Sequence, residues 1–324
     1  MNSTITSIPG IKVGHAQNEI AVTGCTVVLC EKGAVAGIDQ RGGAPGTRET
    51  DLLHPMHLVQ KVHGIVLTGG SAFGLNAAAG VMDYLEKRGS GFNTGLARVP
   101  IVPAAVIYDL GIGSSKIRPD AKMGYEACIN ASMSAVRQGN VGAGMGACVG
   151  GLYGPNYQMK GGVGSVAIDL GGGLIVAALM VVNCFGDVID PDSQQIIAGT
   201  RKPIAGRQFA DTLFSMKSFT GKTLLKFAGK NTVIGVVATN AKLTKEEINK
   251  VAQMAQDGIA RTIRPAHTMF DGDTIFSLAT GQKRGDVNLI GAYAAEAVAQ
   301  SIISGVKSAV TIHNRISSGD FQIK

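Results

Sequence analysis

Two runs of this 324-residue chain, Val163–Leu170 and Leu174–Val182, are apolar at odd and even positions alike and are joined by Gly171-Gly172-Gly173. The glycines read as a hairpin turn between two strands. Strands apolar on both faces must be covered on both, so the chain needs a layered α/β arrangement rather than an open sheet. The covering helices are legible. Apolar residues recur through Leu75, Ala78, Ala79, Met82 and Leu85 after a candidate N-cap at Ser71. Ala121–Arg137 is alanine-rich, Thr244 to about Arg261 opens with a Thr244/Glu247 capping box, and Asp286–Val306 is long and Ala-rich. Further strands are expected at Val22–Cys30 and Ala34–Ile38, split by Glu31-Lys32-Gly33, and at Gly64–Thr68, Thr232–Thr239 and Thr274–Ala279, with Ile101–Leu110 extended. No internal repeat or low-complexity linker interrupts them. The expected fold is α/β, two sheets faced by helices in a four-layer αββα sandwich, with residues 1–324 as one domain.

The chain has no Trp, only 5% aromatic residues and 45 glycines, so its core must come from Ala, Val, Ile and Leu with close backbone contacts at glycine. The formal charge of +7 is scattered and no basic stripe is interleaved with aromatics, which argues against a nucleic-acid partner. The densest basic patch, Lys217, Lys222, Lys226 and Lys230, reads as a solvated, mobile segment. Five cysteines, odd in number and without a C-x-x-C pair, suit a reduced cytoplasmic setting. The N-terminus lacks a signal-peptide pattern, and the most apolar stretch, Leu174–Val182, is too short to span a bilayer, so no membrane association is expected.

Several familiar signatures fail. Gly69-Gly70-Ser71-Ala72-Phe73-Gly74 has Phe73 where a nucleophile elbow needs glycine, and it lacks the Lys-Ser/Thr end of a phosphate loop. The unpaired amides expected at Gly70 and Ser71, at a strand–turn–helix junction, remain candidates for holding a substrate carbonyl or anion. Gly142-Ala143-Gly144 with Ala147 follows a helix rather than a strand, against dinucleotide binding. His54, His57 and His63 have a proline between the first two and no nearby acid or cysteine, so neither a metal nor a cofactor is expected.

The chemistry concentrates elsewhere. Asn231-Thr232 stands between the Lys-rich Thr220–Lys230 stretch and the apolar run Val233–Ala238. Cutting that peptide bond would give Thr232 both a hydroxyl and a free α-amine of pKa about 8, which can act as the base for its own side chain. Asn183 ends a strand before Cys184-Phe185-Gly186, where its carboxamide can donate to an oxyanion or simply serve the turn. Tyr108 ends another strand; its phenol can protonate a leaving group or pack. Asp271 and Asp273 open a strand, able to orient the Thr232 amine or merely to make a turn.

IPGIKVGH (8–15), LTGGSAFGL (67–75), VPIVPAAVIYDL (99–110), MKGGVGS (159–165), VVNCFG (181–186) and NTVIGVVATNAKL (231–243) occur in order. With them the chain resembles the L-aminopeptidase/D-esterase (DmpA-like) and β-peptidyl aminopeptidase family of self-cleaving N-terminal-nucleophile hydrolases. The resemblance implies an αββα sandwich, cleavage into residues 1–231 and 232–324, and a homo-oligomer, a tetramer of cleaved αβ units. It implies a peptide or amino-acid amide substrate, with Thr232 as nucleophile, Asn183 as oxyanion donor and Tyr108 as active-site tyrosine. Two positions depart from the family pattern: Thr232 replaces a common Ser, adding a methyl that restricts χ1, and Asp271-Gly272-Asp273 replaces Ser-x-Glu. A second acid favours the protonated amine unless one carboxyl is neutral. The alternatives are an acyltransferase of the ornithine-acetyltransferase type and a catalytically silent, uncleaved oligomeric binding protein.

Overall fold

The computed structural model of the chain describes residues 2–203, 207–225 and 231–322. Among them one hydrogen-bonded sheet joins nine strands: β1 (Lys12–Asn18), β2 (Thr23–Gln40), β3 (Thr47–Arg48), β4 (Lys61–Thr68), β5 (Ala104–Val106), β6 (Gly162–Asp169), β7 (Ile175–Asn183), β8 (Thr232–Ala241) and β9 (Thr274–Lys283). The order is β6-β7-β8-β9-β2-β4-β5-β3, with β1 on β2. Four principal helices accompany them: α1 (Ala77–Lys87), α2 (Ala121–Ile129), α3 (Lys245–Thr262) and α4 (Val287–Lys307).

Strand parity separates the layers, because successive side chains point to opposite faces. Ala177, Leu179 and Val181 of β7, Ile234, Val236 and Ala238 of β8, and Phe276 and Leu278 of β9 pack with Val28 and Ala36 of β2 and Ile65 and Leu67 of β4. This core lies between two sheet layers. The alternate residues, including Val176, Met180, Val182, Val233, Val237 and Ile275, meet Ile248, Val251 and Ile259 of α3 and Val298 and Ile302 of α4. On the far side Cys25, Val27, Leu29 and Val66 meet Ala78, Val81 and Leu85 of α1 and Ala127 of α2. The result is helix, sheet, sheet, helix, as the doubly apolar runs require.

The two layers are not separate sheets. Strand β2 is one 18-residue strand where two short ones were expected; Cys25–Leu29 pair with β4 and Val35–Gln40 with β9. Its register against β4 shifts between Leu29 and Ala34, so Glu31-Lys32-Gly33 makes an irregularity within the strand instead of a turn. The 171–173 turn forms as expected, all three glycines having left-handed φ of 61–86°.

Helix α2 stops at Ile129, short of the expected Arg137. The chain turns out there because Ser132 exchanges both backbone hydrogen bonds with Val13, at 3.0 Å each, and Asn130 Nδ2 donates to the His15 carbonyl. Helix α3 begins with the expected Thr244/Glu247 capping box. Helix α4 is long and apolar enough to cross a membrane, a stretch longer than the Leu174–Val182 run, yet it packs on α3, β6 and β7 as a core helix. Lys217 and Lys222 are exposed as expected, but Phe219–Leu224 forms a short helix; Lys226 and Lys230 lie outside the described residues.

Candidate active site

Antiparallel pairing of β7 with β8 sets Asn183 directly opposite Thr232. By parity both side chains fall on the face that further along carries Val181 and Ile234, so the pair stands at the strand ends beside the sheet-to-sheet core. Both are buried. The Thr232 hydroxyl donates to the carbonyl oxygen of Asn231 at 2.5 Å, and the backbone N–H of Gly272 donates to the same oxygen at 3.0 Å. The carbonyl of the 231–232 peptide bond therefore has a hydroxyl against it and an amide donor on it.

Gly272 reaches that carbonyl because Asp271-Gly272-Asp273 folds tightly around the junction. Asn231 and Asp271 form a parallel bridge, and a Cβ on Gly272 would stand 2.9 Å from Thr232 Oγ1 and 2.7 Å from the Ala44 carbonyl. Asp273 Oδ1 accepts the Val233 N–H at 2.8 Å, and Oδ2 accepts the His267 N–H at 3.1 Å and meets His267 Nδ1 at 2.9 Å. Asp271 Oδ2 accepts the Thr268 hydroxyl at 2.6 Å and amide at 3.0 Å. Burial, then the neighbouring Asp273 charge, pushes the Asp271 carboxyl up to about 6, against the pull of the Thr268 and Phe185 donors. One acid of the pair thus holds its proton well above the ordinary carboxylate range.

Asn183 Oδ1 accepts the Cys148 N–H at 2.9 Å, which turns Nδ2 the other way, 3.4 Å from the Tyr108 carbonyl. Nδ2 donates to that carbonyl only at long range and carries a second N–H, so the donor side of the amide is the side that can turn to an incoming oxyanion. The loop behind it is clamped by Lys160, fully buried, whose Nζ donates to the carbonyls of Gly144, Ala147 and Gly161 at 2.8 Å each. Burial pulls this ammonium down to about 8, opposed by Cys148 and Asp109. A cavity of about 230 Å³ opens beside these groups, lined among others by Tyr108, Asp109, Cys148, Asn183, Asn231 and Arg315. Tyr108 is 38% exposed and lines the cavity.

The other sequence candidates lie apart from it. Gly70 has a left-handed φ of 83° and its N–H goes to Asp109 Oδ1 at 2.7 Å; the Ser71 N–H goes to the Ile107 carbonyl at 3.0 Å. Both amides are engaged within the protein and neither residue lines the cavity. Ser71 makes no cap: the segment Ser71–Asn76 is a 3-10 turn entered at a φ of 53° for Ser71. His54 and His57 are exposed, whereas His63 is buried and takes the Ile101 N–H on Nδ1 at 3.2 Å. Gly272, His267, Lys160 and Arg315 escaped sequence reasoning. Lys160 lay inside the 159–165 motif and Gly272 inside Asp271-Gly272-Asp273, whose acids alone had been given roles; His267 and Arg315 carried no signal.

Residues 3–318 match the model of peptidase family S58. The chain is 41% identical over 349 residues to an uncharacterized aminopeptidase of Mycobacterium leprae, covering 96% of this chain and 92% of that protein. It is 30% identical over 312 residues to a 6-aminohexanoate-oligomer endohydrolase of Paenarthrobacter ureafaciens, covering 92% and 84%. Among solved structures, the l-aminopeptidase d-ala-esterase/amidase of Ochrobactrum anthropi, a variant of the Ntn hydrolase fold, matches with a TM-score of 0.71 at 18% identity over 99% of this chain and 92% of that one. The fold is accordingly that of the Ntn hydrolases, and the chain belongs to peptidase family S58, a hydrolase of the aminopeptidase kind.

Proposed function

We propose that Thr232 is the nucleophile of a self-processing aminopeptidase acting on short peptides or amino-acid amides. The observation that carries this reading is the Thr232 hydroxyl against the Asn231 carbonyl, with the Gly272 N–H already on its oxygen. In the precursor the Thr232 Oγ bonds to the Asn231 carbonyl carbon, the C–N bond breaks, and the nitrogen leaves as the Thr232 amine. Water then hydrolyses the ester, leaving Asn231 as a carboxylate. In the mature enzyme that amine takes the hydroxyl proton as Oγ attacks the substrate acyl carbon. Asn183 Nδ2 holds the oxyanion, a donor typically worth ~10²–10³ in rate. Tyr108 at the cavity wall is the group to protonate the departing amine, and water releases the acyl group. Asp273 positions the start of β8 through the Val233 amide; Asp271 sets the charge near the new amine.

The proposed processing divides a single α/β unit into residues 1–231 and 232–324, and the mature form is a homo-oligomer of those paired chains. Five free, buried cysteines support a reducing, cytoplasmic location. Neither an acyltransferase nor a silent binding protein has an observation in its favour.

The acyl-enzyme is testable by partitioning. With an amide and an ester that share one acyl group, added hydroxylamine should divert the same fraction of product to hydroxamate from both. Without it, water alone should take the acyl group. A fraction that depends on the leaving group would contradict a shared acyl intermediate, and no release without an amine acceptor would favour the transferase.

A further inference from the structure

The cavity beside Asn183 holds a cation that, among the described residues, has no carboxylate in ion-pair contact. Arg315 lines it and is only 3% exposed, and among the described residues no carboxylate lies within 4.0 Å of its guanidinium. Its hydrogen bonds are all to neutral groups: Nη1 donates to the Asn314 side-chain oxygen, Nη2 reaches the Gly111 carbonyl at 3.4 Å, the Cys148 side chain is a further partner, and Nε is buried without one. A second guanidinium adds to the field. Arg201 donates to the carbonyls of Asn156 and Asn314, and its Nε is also buried and unpartnered.

The nearby acid makes no ion pair with Arg315, and the nearby thiol is a neutral partner. Both Asp109 oxygens are occupied, Oδ2 by the Thr23 hydroxyl at 2.6 Å and Oδ1 by the Gly70 amide at 2.7 Å. Cys148, beside Arg315, is a buried thiol whose proton is held more tightly than usual. A buried guanidinium lacking a counter-ion is costly, and its planar donors match a carboxylate. A cavity of about 230 Å³ sits at or below the small end of ligand pockets, room for one or two residues and not for a long peptide.

We propose that Arg315 binds the free α-carboxylate of the substrate's leaving residue, so that the enzyme prefers dipeptide-sized substrates with an unblocked C-terminus. The inference rests on the hydrolase reading above for the placement of the scissile bond at Asn183 and Thr232. The carboxylate that self-cleavage creates on Asn231 is a competing occupant, and the two are told apart by whether the preference belongs to the substrate.

Two measurements test it. First, kcat/KM is compared for a dipeptide and its C-terminal amide in the wild type, Arg315→Met and Arg315→Lys. The free acid should be preferred by about 10- to 100-fold, the range of a charge-assisted hydrogen bond. Arg315→Met should abolish the preference by raising KM for the acid while leaving the amide within about threefold, and Arg315→Lys should retain part of it. Equal use of both substrates by the wild type, or equal slowing of both in Arg315→Met, would overturn the proposal, the latter pointing to Asn231 or to a structural role. Second, calorimetric binding of L-alanine against L-alaninamide needs no turnover. Wild type should bind alanine at least tenfold more tightly and Arg315→Met should not; no discrimination by wild type overturns the subsite even if hydrolysis is intact. An enzyme that binds with this discrimination yet hydrolyses nothing would sink the hydrolase reading alone.

Discussion

At the scale of single residues, the arrangement at Asn231-Thr232 turns on how the charge of the Asp271/Asp273 pair is managed. Asp273 is tied to the Val233 and His267 amides and to the His267 ring, while burial and its neighbour hold Asp271 protonated up to about pH 6. Because the folded pKa of Asp271 lies above its ordinary value, folding takes up a proton; this stabilises the protein below about pH 4 and is lost as pH rises through about 6. Asp271→Asn cannot lose it. Between pH 4.5 and 7.5, urea unfolding in a Thr232→Ala background should shift in favour of Asp271→Asn by about 2 kcal/mol relative to the unsubstituted chain. A difference that stays constant with pH would show that Asp271 ionises normally. Sequence made the acids visible but not the burial that, together with the neighbouring Asp273 charge, raises Asp271 against the pull of the Thr268 and Phe185 donors.

Among elements, helix α4 seats on β6 through glycine. A Cβ on Gly164 would lie 2.0 Å from the Ser301 carbonyl and 2.4 Å from the Gly305 amide, so helix and strand backbones are in direct contact. Gly164→Ala must push α4 off the sheet and should destabilise the uncleaved Thr232→Ala protein by about 1–3 kcal/mol, the usual cost of overpacking. An unchanged urea midpoint would contradict that contact. The 159–165 motif, legible as a family mark, thus divides into a packing glycine and the Lys160 clamp. The hairpin at 171–173, the capping box of α3 and the strand at Thr232 were readable because their signals are local. The unity of β2 and the early end of α2 were not, because β9 and Val13 decide them from distant parts of the chain.

For the whole molecule, the consequence of the layout is that a cut at 231–232 falls at the edge of a layer and not between lobes. Strand β8 lies between β7 and β9, and residues 232–324 carry both helices that cover that layer. The αββα order was legible from doubly apolar runs and their helices, and the Thr232, Asn183 and Asp271/Asp273 candidates do converge at one place. The convergence itself was not, for it depends on the register that sets Asn183 opposite Thr232 and on the Gly272 turn. The most direct measurement is the intact mass of the purified protein under denaturing conditions, for the wild type and Thr232→Ala. Two masses corresponding to residues 1–231 and 232–324 in the wild type, which elute together when native, and one 33.4 kDa chain in Thr232→Ala are the predicted result. A wild type that stays at 33.4 kDa after prolonged incubation while hydrolysing substrate, or a Thr232→Ala chain that still divides at this bond, would contradict the account.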